Sequence, residues 1–126
     1  MRYLSKEQIL LIHSLIIDET GGAHGVRDLH LVASLEYLPK QTFGGKELYS
    51  GLFIKAAVYL RNIIMNHPFV DGNKRTGMLA AAVFLENNGY KLIVADGEIE
   101  KFALRVINKR LDLDSISKWL ETNSKK

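Results

Sequence analysis

The chain has 126 residues, 47% of them apolar and 25% charged, which fits one soluble domain spanning residues 1–126 with a single buried core. It contains no cysteine, so disulfides, thiolate-bound metals and a cysteine nucleophile are excluded. The net charge of +3 is small and partly carried by the tail residues Lys125 and Lys126, which argues against nucleic acid as the partner. The apolar run Ile9–Ile12 is broken by His13 and Ser14 and followed by Asp18 and Glu19. It therefore reads neither as a secretory leader nor as a membrane span, and a cytoplasmic location is expected.

Taken in chain order, the first element is a helix. Ser5 and Gln8 have capping-box spacing, Ile9, Ile12, Leu15 and Ile16 fall on one face, and Gly21-Gly22 ends it. A second helix is expected from Arg27 to Tyr37, with Leu31, Leu35 and Leu38 on one side and Pro39 as its stop. Residues 39–49 break the helical pattern. Gly44-Gly45, flanked by Thr42-Phe43 and Leu48-Tyr49, reads as a short hairpin or extended flap, with an irregular loop as the alternative.

A central helix follows from Leu52 to Met65, with Phe53, Ala56, Ala57, Leu60, Ile63 and Ile64 on a broad apolar face, closed by His67-Pro68. After a polar loop comes a helix apolar on most sides, Met78 to Leu85, which should be buried and which Asn87-Asn88-Gly89 terminates. Tyr90–Val94 can be extended. Asp96 is placed to cap a helix running through Asn108, with Glu98 and Glu100 in its first turn. A last helix from Ser115 to Glu121 would pack Ile116, Trp119 and Leu120, and disorder is expected only from Thr122 to Lys126. The expected fold is an all-α bundle with one small extended element.

The chemistry concentrates in residues 67–77. This polar loop ends at a helix start, where unpaired backbone N–H groups and the positive end of the dipole favour anions. Gly72 lets backbone approach a ligand closely, Asn73 offers donor and acceptor atoms, and Lys74 and Arg75 carry charge suited to phosphate oxygens. Asp71 is a hard oxygen ligand of the kind magnesium uses together with substrate phosphates, and His67 is of the residue type that takes a proton near neutral pH. Singly, each part has an ordinary structural explanation: a turn, solvated surface or a cap. A base, a metal ligand, an anion cradle and two cations within nine residues are a more specific combination. His13, His24 and His30 share no metal-ligand spacing and are expected at the surface or in hydrogen bonds.

The segment His67-Pro-Phe69-Val-Asp71-Gly72-Asn73-Lys74-Arg75 resembles the HxFx(D/E)GNxR signature of the Fic/Doc superfamily, whose fold is a helical bundle with a flap. HPFVDGNKRTG, the apolar helix after it, Asn-Gly-Tyr, the upstream Gly-Gly-Ala-His-Gly-Val-Arg-Asp-Leu and the Phe-Gly-Gly segment resemble its death-on-curing (Doc) branch, the toxins of type II toxin–antitoxin pairs. The resemblance implies that His67 is the general base toward a target hydroxyl, that Phe69 anchors the loop, and that Asp71 binds Mg2+. It implies that Gly72, Asn73, Lys74 and Arg75 surround the nucleotide phosphates. Thr42, Phe43, Gly44, Gly45, Lys46 and Glu47 would form the flap that holds the target by strand addition.

It further implies ATP as co-substrate, a translation elongation factor as target and a small cognate antitoxin as partner. Adenylyl-transferring members carry Gly where Lys74 stands and a second Arg where Met78 stands. The Doc branch shares both changes, which implies ATP bound the other way round, the γ-phosphate presented and a kinase as the outcome. Gly72, which the adenylyl transferases also use, keeps AMPylation as the alternative. A non-catalytic phosphate- or nucleic-acid-binding module is the alternative from another class. Ser117–Glu121 faintly resembles the S/T-x-x-x-E inhibitory helix of some members, but Thr122 replaces the expected Gly or Asn, so an ordinary terminal helix is expected.

Overall fold

The structure is a computed structural model describing residues 1–126. Six α-helices carry the fold: α1 Lys6–Thr20, α2 Leu29–Leu35, α3 Leu52–Asn66, α4 Asn73–Asn87, α5 Glu98–Asn108 and α6 Leu113–Thr122. Four two-residue strands accompany them: β1 Thr42–Phe43 paired antiparallel with β2 Lys46–Glu47, and β3 Lys91–Leu92 with β4 Ser124–Lys125. The protein is thus mostly α with a small hairpin, as the sequence led us to expect.

Helix α3 is the axis of the bundle. Its principal neighbours are α4 and α6, and α1 and α5 flank α4. Ala56, Ala57, Leu60, Ile63 and Ile64 are all fully buried, so the broad apolar stripe read from the sequence is the face around which the others gather. Gly77 makes the α3–α4 contact close: a Cβ there would come within 2.8 Å of Ile64 Cγ1 and 3.1 Å of the Leu60 carbonyl oxygen. A continuous hydrophobic cluster draws on all six helices, from Ile9 and Ile12 through Phe84 and Phe102 to Ile116 and Leu120.

Several local expectations hold. Ser5 and Gln8 form the capping box, Gly21 caps the end of α1, and Gly44-Gly45, both at positive φ, turn the hairpin as a two-residue I′-type connection requires. Others are corrected. In α1 it is Ile17, not Leu15, that is buried; Leu15 faces solvent, and the buried stripe runs Ile9, Ile12, His13, Ile17 toward α4.

Helix α2 starts at Leu29 rather than Arg27, because Val26–Asp28 are used as backbone against the 67–70 loop and Asp28 then caps by accepting from His30 and Leu31 N–H. It stops at Leu35, and Pro39 sits instead in a 3-10 turn, Leu38–Lys40, where its fixed φ is tolerated. Asp96 does not cap α5: Gly97, at φ 83, is the N-cap and no side chain caps it. Helix α6 begins two residues earlier than expected because Asp112 accepts from Ser115 N–H. The tail expected to be disordered is ordered at Ser124–Lys125. It supplies the partner that the extended 91–92 segment needs, and Ser124 Oγ and Asn123 Nδ2 also bond back to α6 carbonyls.

Candidate functional site

The 67–75 loop is a reversal between the two most intimately packed helices. Helix α3 ends on His67, which takes the left-handed conformation (φ 50, ψ 61), with Pro68 just beyond to prevent continuation. Helix α4 begins from Gly72, also left-handed (φ 76), where a Cβ would strike Ile17 Cδ1 at 2.9 Å. No side chain caps α4, and its first N–H to bond within the helix is that of Thr76, to the Gly72 carbonyl at 2.9 Å. The amides of Asn73, Lys74 and Arg75 are therefore unused by the helix, and they open beside a cavity of about 210 Å3 lined by His67, Val70, Asp71, Gly72, Asn73, Lys74 and Arg75. All six residues expected to act on or around a nucleotide, His67 and Asp71 to Arg75, come from this one loop and border one space.

Phe69 anchors the loop. It is 1% exposed, and its ring stacks on His13 with centroids 3.8 Å apart and planes 4° from parallel. Its backbone is clamped by Asn73, whose Oδ1 accepts from Phe69 N–H at 3.0 Å while Nδ2 donates to Phe69 C=O at 2.9 Å. Asn73 thus borders the cavity as expected, but its side chain is spent on closing the loop. Asn73 Nδ2 stands 3.5 Å from His67 Nδ1, longer than an ordinary hydrogen bond, so this contact does not fix the imidazole tautomer. The His67 side chain is solvent-exposed at the cavity edge.

Asp71 is oriented from both sides. Oδ2 accepts from Ala23 N–H at 3.1 Å and Oδ1 from Gly72 N–H at 2.9 Å, while its carbonyl oxygen accepts from His13 Nε2–H at 2.8 Å. The Ala23 amide, then the Gly72 amide, with smaller help from Arg75 and His13, hold the carboxyl below the usual carboxylate range. No three His, Cys, Asp or Glu side chains gather anywhere to enclose a metal, so a cation here would take Asp71 and complete its shell from phosphate oxygens and water. That donor set suits Mg2+ and does not suit zinc.

Lys74 is exposed on the first turn of α4. Arg75 donates to the Thr20 hydroxyl at the end of α1, which holds its guanidinium near the cavity wall. Both also border a second groove of about 270 Å3 between α4 and α5, floored by Met78, Ile99, Ala103 and Leu104. Met78 is 3% exposed.

The flap residues Thr42, Phe43, Gly44, Gly45, Lys46 and Glu47 are all exposed and lie outside this cavity, in the β1–β2 hairpin. Phe43 is 82% exposed.

Residues 13 and 22–28 were not singled out as site residues by sequence. Val26 bridges Phe69, Val70 N–H donates to Gly25 C=O at 3.0 Å, and Arg27 and Asp28 N–H both donate to Pro68 C=O. Arg27 also satisfies the end of α3, its Nε donating to His67 C=O at 2.5 Å and its Nη2 to Asn66 C=O at 2.6 Å. This segment is the backing on which the loop is laid. Its only signal was the Gly-Gly-Ala-His-Gly-Val-Arg-Asp run, and a backbone-to-backbone contact leaves little other trace in a sequence. His13 takes the hydrogen-bonded role, not the surface one.

On the metal role expected from the sequence, Asp71→Asn should weaken ATP binding measured with Mg2+ much more than binding without it, and equal losses in the two titrations would contradict that role. Because the folded-state value is depressed, the carboxylate adds stability above the unfolded value, and that stability is lost as pH falls. The melting-temperature gap between wild type and Asp71→Asn should be steady above about pH 5 and close below about pH 4.

A family model described as the Fic/DOC family matches residues 3–85. The chain is 37% identical over 118 residues to "Toxin Doc" of Mycolicibacterium smegmatis, covering 91% of this chain and 88% of that protein. It is 30% identical over 92 residues to "Protein kinase doc" of Escherichia phage P1, covering 73% of this chain and 72% of that one.

Proposed function

The chain belongs to the Fic/DOC family, and from that premise we propose that it is a Doc-like toxin that transfers the γ-phosphate of ATP to a hydroxyl of a target protein, with a translation elongation factor as the acceptor. The observation that carries this reading is the cavity itself, where the unused α4 amides, the oriented Asp71 carboxylate, two cations and the exposed His67 imidazole border one space. An anion sink without chemistry gains nothing from a carboxylate held ionised inside it. The name of the phage relative is that of a kinase, which supports phosphate rather than nucleotide transfer.

The residues divide the work as follows. The amides of Asn73, Lys74 and Arg75 with the Lys74 and Arg75 side chains bind phosphate oxygens and gather the charge that spreads over them in the transition state. Asp71 would hold Mg2+, which would neutralise charge on the β- and γ-phosphates. His67 takes the proton as the acceptor oxygen bonds to the γ-phosphorus; the bond from that phosphorus to the β–γ bridging oxygen breaks, and ADP leaves. Lys74 and the buried Met78 support the orientation, since a long side chain in the first turn and no second arginine suit a γ-phosphate near His67 better than an α-phosphate there.

The same reading supplies a partner. The α4–α5 groove over Met78, Ile99, Ala103 and Leu104 fits the apolar side of an amphipathic segment, and such a segment would lie against Lys74 and Arg75. We assign it to a small cognate antitoxin. The location we propose is cytoplasmic; no helix is long and apolar enough to cross a membrane. Intact mass of the elongation factor after incubation with the protein and MgATP tests the function. A gain of one phosphate supports it, and a gain of one adenylyl group replaces it by AMPylation.

A further inference from the structure

A lysine is fully buried beneath the flap, and the phosphate site does not use it. Lys55, on the first turn of α3, is 0% exposed, on the same helix that carries the core alanines and isoleucines. Burying a cationic amino group is unfavourable unless its donors are met. Here the Nζ has three oxygen partners, and all come from the segment around the flap. It donates to Pro39 C=O at 3.3 Å, before β1, and to Tyr49 C=O, after β2; it also pairs with the Glu47 carboxylate at 3.1 Å, on β2 itself.

The hairpin has little else to hold it. All four strand residues and both turn glycines are exposed, and the ladder is two residues long on each side, extended by Leu48 N–H donating to Gln41 C=O. So short a hairpin is not stable alone. Its two stems are drawn together over one buried amino group rooted in the central helix.

We propose that Lys55 is a positioning residue: it latches both stems of the flap to α3 and so fixes the strand edge, with the exposed Phe43 on it, to which the target protein adds. The proposal rests on the reading above that the flap receives the target. Lys55 touches neither nucleotide nor acceptor in this scheme, so its removal raises the KM for acceptor and leaves kcat and ATP affinity near their wild-type values. Losing the latch costs ordering of the flap on binding, which appears as weaker acceptor binding.

The test uses Lys55→Met, which keeps the length and removes the donors, and Glu47→Gln, which breaks the ion pair from the exposed side without touching the core. Two readouts are taken on the full chain: amide hydrogen exchange at residues 41–48 without any ligand, and phosphate transfer from MgATP to purified elongation factor as its concentration is varied. The expected result for Lys55→Met is flap exchange faster by about tenfold or more and an acceptor KM raised about tenfold, with kcat and ATP binding within about twofold of wild type. Glu47→Gln should move both in the same direction by less, and it keeps the question open to measurement if Lys55→Met does not fold. Unchanged flap exchange in both variants overturns the latch. Faster exchange with an unchanged acceptor KM overturns the flap as the target-binding element instead, whereas a wild type that never labels the factor, with flap exchange still faster in Lys55→Met, leaves the latch standing and overturns the proposed transfer to that factor.

Discussion

Replacing His67 by alanine is expected to slow phosphate transfer by about 10² to 10⁴, the usual cost of losing a general base, while the protein stays folded and still binds MgATP. The imidazole is exposed, and its Nδ1 makes only the 3.5 Å contact with Asn73, so little structural support goes with it. The backbone is the complication. His67 sits at φ 50, a left-handed conformation that histidine adopts more readily than alanine does. His67→Asn separates the two effects, because asparagine tolerates the left-handed region and cannot act as the base. Both variants should lose transfer alike, with His67→Asn the more stable by melting temperature. Near-normal turnover in His67→Asn would remove His67 from the chemistry and leave it as a helix cap.

The second large effect is on stability and comes from Phe69. Cutting a fully buried phenylalanine to alanine costs about 3–5 kcal/mol, and here the ring is also the face on which His13 lies at 3.8 Å. Phe69→Ala should lower the melting temperature by roughly 10 °C or more and weaken ATP binding in the protein that remains folded. His13 binds the Asp71 carbonyl and rests on that ring, so the loss at Phe69 also loosens the carboxylate. His13→Ala and Phe69→Ala should therefore be non-additive in a double-mutant cycle, by about 0.5 kcal/mol or more. Additive losses would show that the stack does not transmit to the loop.

How much of this was legible beforehand depends on the kind of contact. The helices around Ile9, Leu60, Phe84 and Ile116 follow from apolar periodicity, because burial of one stripe is a property of local sequence. The hairpin was legible because Gly44-Gly45 can take two positive φ values in succession. The 67–75 loop was legible because anion binding needs a glycine, a helix start and cations close together in sequence. Other features depended on distant partners. That Asp71 is held by Ala23 N–H, that Asn73 is spent on Phe69, and that Arg27 closes the end of α3 are contacts across sequence gaps or with backbone, which has no letter of its own. Lys55 is the sharpest case: on a helix wheel it is a charge on an apolar face, and only the fold brings the Pro39 and Tyr49 carbonyls to it. The order of Ser124–Lys125 likewise came from its pairing with Lys91–Leu92, not from its composition.

The central claim is that ATP lies with its γ-phosphate at His67, and transfer from ATP labelled separately at the α and γ positions tests it most directly. Lys74 stands on the first turn of α4 and lines the cavity, where under this proposal it would both fill space and contact phosphate. Losing such a charge-assisted contact should cost about one to two decades in binding, from roughly 1.5–3 kcal/mol. Wild type should pass only the γ label to the elongation factor. Lys74→Gly should lose most of that transfer without taking up α label at a comparable rate, since Met78 still offers no second cation. If wild type passes the α label and retains the γ label in pyrophosphate, the nucleotide lies the other way round and the protein is an adenylyl transferase.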